Sequence, residues 1–250
     1  MKKFFLILPC FLVILGCENE KKPLKFTTFS LEKTDDKNCD PERENCTYIS
    51  ISVPQAKEET KRAENLNQLI QKHVIDLIDY KEEKKYESLE QFSLHFINDY
   101  ELARRQFPEE KTPWEAQVTG KVAYRTKNLV SIKFNLELFT GGAHGYASES
   151  YLNFNPETGR LYRESELFTP DFKSFAEDLF RKKYNIPQND TINSTGFFFK
   201  NDVFQLPENI GFQKKDIILL YNPYEVAAYS EGSIQVKIPW QKAESFLKIN

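Results

Sequence analysis

Histidine, methionine and cysteine are scarce, at three, one and four in 250 residues. The histidines, His73, His95 and His144, lie far apart, and none belongs to a His-Glu-x-x-His or other paired-histidine motif. A three-histidine metal centre therefore requires all of them to converge in space. No Gly-x-Ser-x-Gly elbow is present, which removes that serine-hydrolase arrangement. The glycines do not follow a strand at Gly-x-Gly-x-x-Gly spacing, so no nucleotide loop is indicated. Basic residues are not concentrated anywhere, the formal charge is −3 and the pI is about 5.8, which sets nucleic acid aside as a partner. Beyond the first residues, no apolar run is long enough to span a bilayer.

Aromatic residues, in contrast, are plentiful. They make up 14% of the chain, with 21 Phe and 12 Tyr, and hydrophobic residues make up 40%. This composition buries a substantial core and argues against disorder. High Phe and Tyr with one Met predicts aromatic packing on sheets.

The chain opens MKKFFLILPCFLVILGC. Lys2 and Lys3 form a positive n-region, and Phe4 to Leu15 an apolar core too short for a good span. Ile14-Leu15-Gly16-Cys17 reads as a bacterial lipobox, with Leu15 bulkier than the small residue often found there; an ordinary signal peptide with a chance cysteine is the alternative. On the lipobox reading, residues 1–16 are removed and Cys17 is lipidated (the palmitate-type modification). Residues 17–23 then form a tether, and the protein sits in the cell envelope with the lipid as its only membrane contact. Loss of Lys2 and Lys3, with no acid, takes the charge from −3 to −5. Cys39 and Cys46 remain as an isolated pair, the setting for a disulfide in an exported protein. A metal site is the rival reading, but no further ligands lie nearby at metal-site spacing.

Residues 25–33 and 47–53 read as paired strands, the second ended by Pro54. Residues 56–79 predict a helix, with Leu66, Leu69, Ile70, His73, Val74, Leu77 and Ile78 on one face. A second helix opens at a Ser88/Gln91 capping box, carries Leu89, Phe92, Phe96, Tyr100 and Phe107 at helical spacing, and closes at Pro108. Lys81 to Lys85 reads as a solvated turn. Residues 114–124 and 129–139 form a hairpin in which Val130, Ile132, Phe134, Leu136 and Leu138 alternate with Ser131, Lys133, Asn135 and Glu137, the pattern of a half-solvated antiparallel sheet. Further strands are expected at 146–155, 217–221 and 234–238, and two short ones within 196–206. Helices are expected from Thr169-Pro170 and over 240–247. The fold class is α+β with mainly antiparallel sheets: a ββαα half at 24–110 and, at 111–250, a sheet half with one or two helices. The 114–139 hairpin belongs to either half or bridges both.

Two stretches stand out as candidate sites. Thr140-Gly-Gly-Ala-His-Gly-Tyr146 puts Gly141, Gly142 and His144 where glycine allows positive φ and close backbone approach. Such a stretch builds a ligand contact, a tight strand connection, or, least often, a catalytic site. Residues 221–229 carry Tyr221, Tyr224 and Tyr229 beside a proline, each with a stacking face and a hydroxyl for protein or sugar contacts. The opposite reading tucks these rings into the core. His73 reads as a satisfied core histidine, and His95 as a helix-surface residue.

TGGAHGY, NFNPETGRLY, the ELF at Glu166–Phe168, and IILLYNPYEVAAYSEG with VKIPW together resemble the RsiV-like C-terminal domain family, over roughly residues 140–247. The preceding half resembles the module found before this domain there and in PdaC-type deacetylases. Ala228 departs from the family's more usual proline. The resemblance implies an α+β extracytoplasmic domain, one that in RsiV binds lysozyme. On the lipoprotein reading the chain is not expected to hold a sigma factor, and no polysaccharide deacetylase domain is expected. The expected function is a non-catalytic binding module for a lysozyme-like protein or peptidoglycan, using Gly141, Gly142, His144, Tyr221, Tyr224 and Tyr229, with no cofactor and no metal. The alternatives are a glycan-active enzyme using unplaced carboxylates and a structural envelope protein.

Overall fold

The computed structural model describes residues 23–36, 39–41, 46–79, 85–109 and 112–249. The expected leader, Cys17, the tether up to residue 22, and residues 81–84 of the charged turn lie outside them.

β1 (Phe26–Thr34) and β2 (Tyr48–Ala56) form an antiparallel pair, and a disulfide joins Cys39 to Cys46. β2 passes through Pro54 instead of stopping there. Its parallel pairing with β3 (Glu115–Arg125) ends at Ser52↔Thr119, so no ladder bond needs the N–H that proline lacks, and the buried ring packs over Gly120, where a β-carbon would lie 3.0 Å from it. Helix α1 (Lys61–Ile78) starts five residues later than expected. Thr60 caps it by accepting from the Ala63 amide, while Ala56 ends β2 with both backbone groups held by the Asn67 side-chain amide. α2 (Leu89–Gln106) is capped by Ser88 as expected, although the Gln91 side chain reaches the Glu87 amide, one residue before the cap. Phe107, expected on the apolar face, lies past the helix end and is 58% exposed.

β4 (Val130–Phe139), β5 (Tyr146–Asn155) and β6 (Arg160–Leu161) complete a six-stranded sheet in chain order, with β2–β3 its one parallel pairing among the described residues. The α1–α2 crossover makes that pairing possible, since parallel neighbours need a long connection. The 114–139 hairpin therefore bridges both halves: β3 pairs with β2, and the sheet continues across residue 110. A single-turn helix α3 (Glu164–Leu167) precedes α4 (Phe172–Lys183), which begins at Asp171 instead of Thr169-Pro170. The two strands expected within 196–206 are absent, replaced by a 3-10 turn at Lys200–Asp202. Asn201 and Asp202 adopt φ of 56° and 57°, and the Asn193 side chain clamps both backbone groups of Phe199. A second sheet of β7 (Asn209–Phe212), β8 (Asp216–Tyr221) and β9 (Ile234–Pro239) follows, then α5 (Trp240–Ala243).

Two cores result. Leu66, Ile70 and Val74 of α1 and Phe92 and Phe96 of α2 pack on Ile132, Phe134 and Phe154 of the six-stranded sheet. Phe172 and Phe180 of α4 pack on Ile217, Leu219 and Tyr221 of β8. Between the sheets, Tyr151 meets Ile218 and Leu220. The face of β4 read as half-solvated is thus partly covered by β7: Ser131 is fully buried and its hydroxyl accepts from the Phe212 amide.

Candidate functional site

The glycine stretch joins β4 to β5. Gly141 and Gly142 take φ of 94° and 90°, which a side chain resists, and the turn they make sets His144 out in solvent. The His144 Nδ1–H donates to the Gly145 carbonyl over 2.9 Å, and since a carbonyl only accepts, Nδ1 carries the proton. The Tyr229 hydroxyl donates to the same carbonyl over 3.0 Å. The two rings stack with centroids 4.5 Å apart, and Tyr224 stacks on the far side of Tyr229 at 5.3 Å. Tyr224 is 57% exposed and sits at φ 72°, a strained conformation for a tyrosine that is held here at the outer end of the stack. Two stretches some eighty residues apart thus meet as three ordered, solvent-facing rings.

Tyr221 is not brought to this site. It lies on the core face of β8, almost fully buried, with its hydroxyl donating to the Gln205 carbonyl over 2.6 Å, and burial pushes its pKa up. Strand alternation puts 217, 219 and 221 on the core side. Gly142 points into open space, whereas Gly141 lines the cleft beside the stack. Ala228, the departure from the family's proline, keeps a φ of −60°, the angle a proline would impose.

The cleft holds about 600 Å³ between the C-terminal part of α1, the glycine turn and the loops flanking β7 and β8. His73 and His144 both line it, with Asp76, Tyr146, Ser150 and Glu208. His73 Nε2 and Ser150 Oγ are 2.7 Å apart, and the His73 ring packs edge-on against Phe134. Burial lowers the His73 pKa to about 4, outweighing the nearby Asp76, so the imidazole is neutral at neutral pH. His95 stands apart on α2, 3.2 Å from Asp99. No group of three His, Cys, Asp or Glu able to hold a metal lies together among the described residues.

Asp76 pairs with Lys72 at 2.6 Å. Glu225 accepts from the Asn222 amide, and burial pushes its carboxyl pKa up, with Glu208 adding to the shift. Asn222 exchanges both side-chain bonds with the Glu149 backbone, at 3.0 and 2.9 Å, and Asn209 accepts from the Tyr151 amide at 3.3 Å. These asparagines act as a substitute strand neighbour for β5 and hold the cleft floor in place. Sequence reasoning missed Asn209, Asn222, Glu208 and the Ser148–Ser150 wall. Their only local signal was the alternation of Tyr146, Ser148 and Ser150 along β5.

Residues 41–147 match the family described as deacetylase PdaC, and residues 165–241 match a protein family of unknown function, DUF3298. The glycine stretch falls inside the first match and the tyrosine loop inside the second, so the ring stack joins the two. No curated protein matches the sequence. Among solved structures, a DUF3298 family member from Bacteroides fragilis superposes with a TM-score of 0.67 at 21% identity, covering 90% of this chain and 93% of its own. A DUF3298 family protein from Pseudomonas aeruginosa gives 0.61 at 18% identity, covering 92% and 96%. At these identities the likeness establishes the fold.

Proposed function

From a PdaC-type N-terminal module joined to a DUF3298/RsiV-like C-terminal domain, we propose an envelope-associated, non-catalytic binding module, anchored through lipid on Cys17, that holds cell-wall glycan at the cleft. The observation that carries the reading is the solvent-facing His144–Tyr229–Tyr224 stack at the edge of a cleft lined by hydroxyl, amide and carboxylate groups. Stacked rings beside short polar side chains suit a sugar, which offers apolar C–H faces and a rim of hydroxyls. A lysozyme-like protein is the other ligand class in view, and the two are separable by experiment.

Soluble protein starting at residue 18 is incubated with peptidoglycan sacculi and, separately, with immobilised lysozyme. Retention on sacculi is expected, with Tyr229→Ala weakening it about tenfold or more through loss of the central ring. Tyr221→Phe, a change inside the core, should leave retention intact. Retention on lysozyme alone transfers the reading to the protein ligand, and retention on neither ends it. Asp76 and Glu208 both line the cleft, which favours one second reading, a glycan-active enzyme. Release of reducing ends from sacculi, abolished by Glu208→Gln, would establish it.

A further inference from the structure

We propose that the end of the molecule where the chain enters the fold docks on an anionic lipid surface, with Tyr124 and Trp240 at headgroup level and Lys214 and Lys215 beside them. This rests on the anchor reading at Cys17.

The strand register places the entry point. β1 begins at Phe26, opposite Ala56 at the end of β2, and β2 runs parallel to β3. The first turns of the described chain therefore lie at the C-terminal end of β3. Leu24 is buried there and its carbonyl accepts from Arg125 Nη1 over 2.9 Å, while the Lys25 amide donates to Glu58 over 2.6 Å. Fully extended, the chain from Cys17 to Pro23 reaches at most about 20 Å. A bilayer holding lipid on Cys17 thus lies within that distance of this end.

The same end carries groups suited to a lipid interface. Tyr124 and Trp240 are half-buried rings 5.1 Å apart, and the Trp240 indole N–H donates to the Gln213 carbonyl over 2.8 Å. They wall two neighbouring clefts of about 320 and 550 Å³. One is finished by Leu129, Glu244, Leu247 and Ile249, the other by the exposed Lys214 and Lys215 with the half-buried Asp216. Amphipathic rings backed by apolar side chains and flanked by lysines match the chemistry of the membrane–water interface, and the lysines favour anionic headgroups. The ring stack lies at the other end. β4 leads from Val130, beside this face, to Leu138, beside the cleft, about 27 Å at a strand's rise per residue. Docking therefore turns the cleft away from the membrane.

The chain's two tryptophans report on the two ends: Trp240 on the proposed face, Trp114 beside Gly141. Full-length lipidated protein is reconstituted into vesicles of phosphatidylglycerol and phosphatidylethanolamine containing bromine-labelled acyl chains. Trp114→Phe leaves Trp240 as the sole emitter, and Trp240→Phe leaves Trp114. Trp240 should be quenched several-fold more than Trp114, and the Lys214→Glu/Lys215→Glu double variant should reduce that difference without releasing the protein. Equal quenching of both, or stronger quenching of Trp114, in vesicle-bound protein overturns the docking face. Failure to float with vesicles, with no lipid mass on Cys17, overturns the anchor instead. Docking is then tested in protein starting at Cys17 and coupled through that thiol to a maleimide lipid, where the same quenching outcomes decide it.

Discussion

At the scale of single residues, His73 carries the clearest consequence of burial. Its imidazole takes a proton near 6.5 when unfolded but only near 4 in the folded chain. Between those values the unfolded state binds more protons, so stability falls as pH drops from about 6.5 towards 4 and levels off below. The contribution is on the order of 3 kcal/mol. His73→Gln should flatten that part of the pH dependence, read as the change in urea midpoint between about pH 7 and pH 4.5, relative to wild type. Glu166 works in the opposite chemical sense but the same pH direction. Hydrogen bonds from Arg160 and the Arg163 amide hold it down to about 2, so its support is present above the usual carboxylate range and is lost as pH falls through the folded value. Tyr221 and Tyr229 show how much one position in a strand decides. The sequence offers both as candidate contact rings, yet Tyr221 ends a buried strand and Tyr229 is the central ring of a surface stack.

At the scale of elements, the disulfide and the sheet contact make separable predictions. Cys39 and Cys46 are seven apart in sequence, and a closed loop of that size contributes about 2–3 kcal/mol by chain entropy. Cys39→Ser/Cys46→Ser, or reduction, should lower the urea midpoint accordingly while leaving ligand retention unchanged, because the bridge joins the β1–β2 connection and not the cleft. Gly211 is a point of close contact between the sheets. A β-carbon there would lie 2.3 Å from the Tyr151 ring, which is held by a hydrogen bond from Gln213 to its hydroxyl. Gly211→Ala should cost about 1–3 kcal/mol of stability, measured by denaturant unfolding. The amphipathic elements were legible because α1, α2 and β4 each repeat their apolar residues at one period. β7 was not, since Asn-Ile-Gly-Phe is four residues long, with Ile210 and Phe212 in the core shared with α4 and Gly211 against Tyr151 of the six-stranded sheet. The strands expected within 196–206 failed for the converse reason. Phe199 and Phe204 are buried as strand residues would be, but as anchors of an irregular loop held by Asn193.

At the scale of the whole molecule, one sheet crosses the 110/111 division, and Tyr151, Ile218 and Leu220 join it to the second. Separate unfolding of the two cores would expose that contact to water. The single-tryptophan proteins should therefore unfold at the same urea concentration, whether Trp114 or Trp240 reports. Non-coincident curves would show two independent units. By itself the sequence determined the α+β class, the positions of the long helices and strands, the cysteine pair and the glycine turn. Each of these depends on periodicity, capping or backbone permissiveness within a few residues. Only the tertiary structure decided that His144 meets Tyr229 and Tyr224, that Tyr221 is withdrawn into the core, that Ser131 is covered, and that Trp114 and Trp240 mark opposite ends. Those outcomes follow from which sheet faces and strand ends are brought together, and contacts between residues eighty apart leave no local pattern in the chain.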